Sequence, residues 1–261
     1  PKGEVILAAG RSVELVDVTN PSLRVQIDAP ANEAVNLGRI VADGGRVSLY
    51  GTVIRNSGEL RANTVERGAN GEILLRAKKD VVLEKESVIT ASGPTAGKIT
   101  VEAEGGSAKL AGRIEANATE GAGGTIAVKA GGAVNVDAQS VITANGITGG
   151  QVLLQSLAGA TTVAGRVEAR GIAPAVVPGT TAAGMLPGPA VANGSDRGSS
   201  VTEQALSAGG QIQVLGDTVA LEGAVTLDAS GDHGGGTVLV GGDLQGRNPL
   251  VQNARFTTVG A

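Results

Sequence analysis

The sequence repeats itself about every 26 residues, and a period of that length restricts the possible folds more than any composition does. Glycine-led apolar segments align one under another: "GGRVSLYG" from 44, "NGEILLRA" from 70, "AGKITVEA" from 96, "GGTIAVKA" from 123, "GGQVLLQS" from 149, "GGQIQVLG" from 209 and "GGTVLVGG" from 235. The steps are 26, 26, 27, 26, 60 and 26 residues, so the long one is a period plus an insertion. A second column shares this phase: a branched apolar residue, a variable one, alanine, then a polar residue that is usually small. Its alanines are Ala42, Ala62, Ala91, Ala116, Ala144, Ala169 and Ala229.

Within each period apolar residues alternate with polar or small ones, as in Ile212, Val214, Val219, Leu221, Leu227 and Ala229. Alternation at period two means strands with one buried face. Glycine interrupts every stretch that could hold a helix. Two or three short strands per period with glycine at the corners point to an all-β fold, a parallel β-helix (β-solenoid) of about eight coils. The whole chain, 1–261, reads as one domain, a rod roughly 35–40 Å long at a strand spacing of about 4.8 Å. Its core must be thin, because Tyr50 and Phe256 are the only aromatic residues and tryptophan is absent. Sheets facing each other at about 10 Å are filled by Val, Ile, Leu and Ala. The alanine column belongs where the wall bends and the interior narrows. The corner glycines are expected to supply positive φ.

Residues 172–208 form the insertion, a loop that holds four of the nine prolines and leaves and rejoins the repeat at one corner. Ser200 and Glu203 have capping-box spacing, so one short helix is expected there.

The chain carries 25 acidic and 21 basic side chains, a net charge of -4, and no cysteine. That excludes a disulfide scaffold and thiolate chemistry, and it offers nucleic acid neither a basic face nor stacking aromatics. No apolar run is long enough for a membrane helix. The opening "PKGEVILAAG" lacks a signal-peptide pattern, which suits a cytosolic protein or a piece of a longer one.

"DASGDHGGGTVLVGG", residues 228–242, is the stretch where a site would be sought first. A phosphate loop needs Lys followed by Ser or Thr and then a helix, whereas Thr237 begins a strand. The calcium-binding β-roll repeats every nine residues and this chain every 26. The stretch reads as a corner, with a cation at Asp228, Asp232 and Asp243 as the alternative. His233, the single histidine, has no cysteine or second histidine to join.

The column before the alanines reads Val41, Arg61, Thr90, Glu115, Thr143, Glu168, Asp228. Parallel stacking brings equivalent residues about 4.8 Å apart, so like charges in register repel. Threonine separates Glu115 from Glu168, and only Glu168 and Asp228 meet on neighbouring coils. Grouped carboxylates on a β-helix wall could serve a polysaccharide lyase or hydrolase. No basic residue stands beside the pair in its column, and no aromatic subsite accompanies it. The sequence therefore assigns no catalytic, cofactor-binding or metal residue.

Two longer stretches, "EAVNLGRIVADGGRVSLYGTVIRNSGELRAN" and "LDASGDHGGGTVLVGGDLQGRNPLVQNARFTTVGA", resemble the filamentous haemagglutinin-like exoproteins of bacterial two-partner secretion. The resemblance covers nearly the whole chain apart from the insertion. It implies a right-handed parallel β-helix, exported through the periplasm and an outer-membrane transporter, and kept outside the cell or on its surface as a fibrous adhesin. The "NPNG"-type motif of the amino-terminal secretion domain is missing, so the chain resembles the segment after that domain. The expected function is a structural and adhesive rod that meets a host-surface or matrix receptor, without cofactor, nucleic acid or membrane insertion. A filament subunit that stacks its coil ends head to tail is the first alternative. An enzyme using Glu168 and Asp228 is the second.

Overall fold

In the computed structural model, which describes residues 4–9, 13–16, 24–27, 33–64, 71–173 and 207–260, each repeat becomes three strands, except the last, which has two among the described residues. The first strands form an eight-stranded sheet from Glu4–Ala8 through Arg46–Gly51, Glu72–Ala77, Lys98–Ala103, Thr125–Ala130, Gln151–Ser156 and Gln211–Leu215 to Thr237–Val240. The second strands form another eight-stranded sheet, from Glu33–Asn36 to Phe256–Val259, and the third a seven-stranded sheet from Arg39–Val41 to Thr226–Asp228. All pairs within these three sheets are parallel, the arrangement of a β-solenoid. Val13–Val16 and Arg24–Ile27 pair separately and antiparallel. No α-helix occurs among the described residues. The possible helix at Ser200–Glu203 and the insertion from 174 to 206 lie outside them.

Parallel pairing at a fixed repeat forces side chains into columns. Val47, Ile73, Ile99, Ile126, Val152 and Ile212 follow one another across the first sheet, all essentially without exposure. Burial of one such side chain is worth about 1.5–3 kcal/mol, so strands of three to six residues persist because each is packed by its neighbours. The alanine column is equally regular, and all seven alanines are buried. The first six are each tied to the next repeat: the Ala116 N–H donates to the Thr143 carbonyl and the Ala144 N–H to the Glu168 carbonyl, both at 2.8 Å.

The corner after the alanines corrects one expectation. Of its described glycines only Gly44 and Gly93 have positive φ. Gly97, Gly124, Gly150, Gly210 and Gly236 are required by close approach instead. A Cβ on any of them would lie 1.8–2.2 Å from the carbonyl oxygen of the preceding glycine in the column. The bend is so tight that the glycine amide reaches back to the alanine carbonyl, as from Gly150 to Ala144 at 2.7 Å. Glycine is needed there for its missing side chain.

The same corner accommodates the insertion. Gly171 bridges to Gly146 on one side and Gly231 on the other, and Ala208 bridges to Gly234. Where the last repeat crosses with Asp232 and His233, the preceding one departs at Ala173 and returns at Ser207.

Candidate functional site

The outward face of the third sheet carries the only carboxylate pair that the sequence singled out, so its chemistry decides whether this wall can react. The column holds in the structure residue by residue. Val41 pairs with Arg61, Arg61 with Thr90, Thr90 with Glu115, Glu115 with Thr143, Thr143 with Glu168, and Glu168 with Asp228. Isoleucine, leucine and valine between the outward positions face the core, which aims these side chains away from it.

Basic partners come from outside the column. Two residues earlier on the same strand, and so on the same face, Arg113 pairs with Glu115 and Arg166 with Glu168. The Arg166 Nε lies 2.6 Å from Glu168 Oε1, while Asn145 Nδ2 donates to Glu168 Oε2 at 3.0 Å. Glu168 is only 5 % exposed, and both its oxygens are occupied. Asp228 is more open. Its Oδ1 accepts the Ser230 N–H at 2.9 Å, and Arg170 Nε lies 3.4 Å from Oδ2.

A second polar column runs just beyond the alanines and explains why their followers are small and polar. Asp43 Oδ1 accepts the Asn63 N–H, Asn63 Oδ1 the Ser92 N–H, and Ser92 Oγ the Asn117 N–H, all at 2.9–3.0 Å. Asn117 Oδ1 accepts the Asn145 N–H and Asn145 Oδ1 the Arg170 N–H, both at 2.8 Å. Each side chain thereby satisfies an amide of the next repeat. The Arg170 side chain has no acceptor to offer, so the Ser230 amide turns to Asp228 two residues back in its own repeat. The signal for this ladder is present in the sequence, as Asp, Asn or Ser after nearly every alanine.

This setting suits structural acceptors better than an acid catalyst. Hydrogen bonds from the Ser230 hydroxyl and amide hold the Asp228 carboxyl below the ordinary carboxylate range, against its partial burial, with Arg170 and Arg166 adding to the effect. A glycosidic general acid needs the opposite shift. Glu168 has both oxygens engaged, Oε1 by Arg166 and Oε2 by Asn145.

The alternative cation site is not assembled. Asp228 lies on the third sheet, Asp232 in the corner, and Asp243 in the segment after Thr237–Val240. Asp232 Oδ2 instead accepts the Ala173 N–H at 3.2 Å, and the Asp243 N–H donates to Asn253 Oδ1 at 3.2 Å. Among the described residues no group of three His, Cys, Asp or Glu side chains could hold a metal ion. His233 is exposed in the corner, where its backbone N–H donates to the Ser207 carbonyl at 2.9 Å.

Two expected results test this electrostatic reading. Thr143 is buried and accepts Asn117 Nδ2 at 2.9 Å. Thr143→Glu would line up carboxylates at positions 115, 143 and 168 and remove that acceptor. The variant should melt below the parent, with part of the loss recovered as salt shortens the Debye length from about 10 Å at 0.1 M to about 3 Å at 1 M. A melting difference indifferent to salt would remove repulsion as its cause.

Acid provides the second test. The Asp217 carboxyl is held below its ordinary range, chiefly by its hydrogen bond from Arg255, which also donates its backbone N–H to the Asp217 carbonyl at 2.8 Å. A carboxyl with a depressed folded-state pKa adds stability that is full above the ordinary carboxylate range and lost as pH falls through the folded value. Below about pH 4 the strand Phe256–Val259, which Arg255 leads into, should therefore loosen before the central strands do. Hydrogen exchange, corrected for its intrinsic pH dependence, would reveal this as selective loss of protection. Equal protection at both pH extremes would count against the pin.

Comparison of the chain with protein-family models, curated proteins and solved structures yields no match.

Proposed function

We propose that this chain is a structural and adhesive β-helical rod segment of a large bacterial exoprotein, with about eight coils wound in the right-handed sense. The observation that supports this most directly is the unbroken register: four columns of the first sheet continue strand by strand from Glu4–Ala8 to Thr237–Val240. A body built that way resists bending at every coil, so it holds whatever it carries at a fixed distance from its anchor. The polar side chains of the third wall support the same reading, since they are taken up by neighbouring repeats.

In this reading the protein acts outside the cell or on its surface, reaches it through an outer-membrane transporter, and meets a host-surface or matrix receptor. The repeat architecture suits such a route. Each coil contacts only its neighbours, so folding propagates coil by coil as the chain emerges. Absence of cysteine from all 261 residues spares it mispairing in an oxidising compartment.

The test uses antibodies raised against the purified chain and intact cells of the source bacterium. Surface label in immunogold microscopy is expected, together with reduced attachment of those cells when free chain competes. Label confined to the cytosol would overturn the reading. Glu168→Gln combined with Asp228→Asn should leave attachment unchanged. If the purified chain instead depolymerises an acidic polysaccharide, and that double variant abolishes the activity, the pair is a catalytic site.

A further inference from the structure

The corner between the second and third sheets alternates in length from one repeat to the next. It takes two residues at 57–58, 111–112 and 164–165, and four at 84–87, 137–140 and 222–225. Backbone hydrogen bonds fix the register of its first position. The Glu84 N–H donates to the Asn56 carbonyl, Ala111 to Leu83, Asp137 to Leu110, Ala164 to Val136 and Glu222 to Val163, all at 2.8–2.9 Å. The longer corners stand out as knobs and the shorter ones are recessed. Lys85, Glu86, Ala138 and Gln139 are exposed, whereas Gly112 and Gly165 are buried. A Cβ on Gly112 would lie 2.4 Å from the Ser87 carbonyl oxygen, and one on Gly165 would lie 2.5 Å from that of Asp137. Each recess thus sits against the knob of the preceding repeat.

Charge follows the same alternation. The first corner position reads Glu84, Ala111, Asp137, Ala164, Glu222, with a carboxylate on each knob. The first outward column of the third sheet reads Val88, Arg113, Val141, Arg166, Thr226, with an arginine after each of the two recesses at 111–112 and 164–165. Acid and base therefore take turns through four successive repeats of the rod's middle, as Glu84, Arg113, Asp137 and Arg166. Like charges recur only every second repeat, about 9.6 Å apart. Asp137 Oδ1 accepts the Gln139 N–H at 3.1 Å, and among the described residues Asp137 forms no ion pair. Arg113 and Arg166 hold Glu115 and Glu168, yet their side chains stay 59 % and 56 % exposed with donors to spare.

We infer that this edge docks laterally onto a second copy of the chain, laid antiparallel, with the knobs of each rod entering the recesses of the other. A two-fold axis between the repeats of Arg113 and Asp137 sets Arg113 of one copy against Asp137 of the other, and Glu84 against Arg166. Each pairing occurs twice, so the contact closes on itself as a dimer. The knob at 84–87 then meets the recess at 164–165, and the knob at 137–140 meets the one at 111–112. One step further out Glu222 faces Glu59, whose charge Arg39 and Arg61 already offset.

The occupant follows from pitch. Charges alternating at a two-repeat pitch need a surface with that pitch, which this chain itself possesses. Copies laid parallel in register would oppose like charges and oppose knob to knob. A parallel pair staggered by one repeat would match three of the four positions. Exposed ion pairs fix register and speed of encounter more than strength, so the contact is reversible and salt-sensitive. The inference goes beyond the rod reading and needs only the solenoid, not its location or receptor.

Sedimentation of the purified chain should show monomer and dimer exchanging at low salt, and monomer alone at about 1 M. Asp137→Arg makes two of the four pairs repulsive and should raise the dissociation constant about a hundredfold. Arg113→Asp should do the same. A mixture of these two variants restores opposite charges at every pair and should associate like the parent, as should the double variant with itself. That rescue separates lost docking from lost folding. The cysteine-free sequence allows spin labels at Val35→Cys and Thr258→Cys, on the outer face of the second sheet at opposite ends of the rod. Carried by separate copies, these two labels should lie closer together than two labels at Val35→Cys. The inference would be overturned by a chain monomeric at every concentration and salt, by single reversals without effect, or by a mixture that fails to associate. Labels in the parallel order would overturn it too. None of these results bears on surface display or attachment, so the two readings fail separately.

Discussion

Gly150→Ala should cost the rod at least about 3 kcal/mol, the upper end of what overpacked interiors lose. The new Cβ would sit 2.2 Å from the Gly124 carbonyl oxygen and 2.6 Å from the Gly123 carbonyl carbon. Neither is a side chain that can swing aside. Moving that carbonyl breaks the hydrogen bond it accepts from the Gln151 N–H at 2.9 Å, so the clash is exchanged for an unpaired amide. In a chain of this size each kcal/mol shifts the melting temperature by about 2–4 °C, so calorimetry should register a fall on the order of 6–12 °C. Gly234→Ala is the internal control. It lies in the equivalent corner of the last repeat, where a new methyl group would meet no atom within 4 Å, and should change stability by no more than about 0.5 kcal/mol. Equal effects at both positions would mean that the glycine column does not approach as closely as described.

Ala144→Phe should be the next most damaging change. Ala144 has no exposure, lies between Ala116 and Ala169 in the buried column, and has its N–H and carbonyl committed to Glu168 and Gly150. A phenyl ring has no space on that side of the interior, and forcing it in displaces neighbours in both adjoining repeats. The expected loss is roughly 1–3 kcal/mol or more. Chemical denaturation should show a lowered midpoint, and Ala224→Phe, at an exposed position, should leave the midpoint nearly unmoved. If Ala144→Phe proves as stable as the parent, the alanine column does not face a narrow interior.

Much of this architecture is legible in the repeat pattern alone. Two columns in one phase make parallel stacking the economical solution, and stacking then makes each residue's neighbours along the rod a matter of counting. That is why the order from Val41 to Asp228, with threonine parting Glu115 from Glu168, holds residue by residue in the sheet. It is also why the buried alanines can be named from the aligned repeats.

Periodicity is silent, however, about what lies around the coil. How sharply the wall turns decides that the corner glycines are required by a carbonyl about 2 Å away rather than by positive φ, and the turning angle is set by three packed sheets together. Side-chain reach decides that Arg166 and Arg170 serve Glu168 and Asp228 from flanking positions, which a reading confined to one column overlooks. Asp243 looks like a companion of Asp228 and Asp232 because it is near in sequence, and the strand Thr237–Val240 carries it away from them. Position along the rod follows from the repeat by itself, because a fixed period stacks equivalent residues. Position around it follows only from the closed cross-section, where three walls must meet.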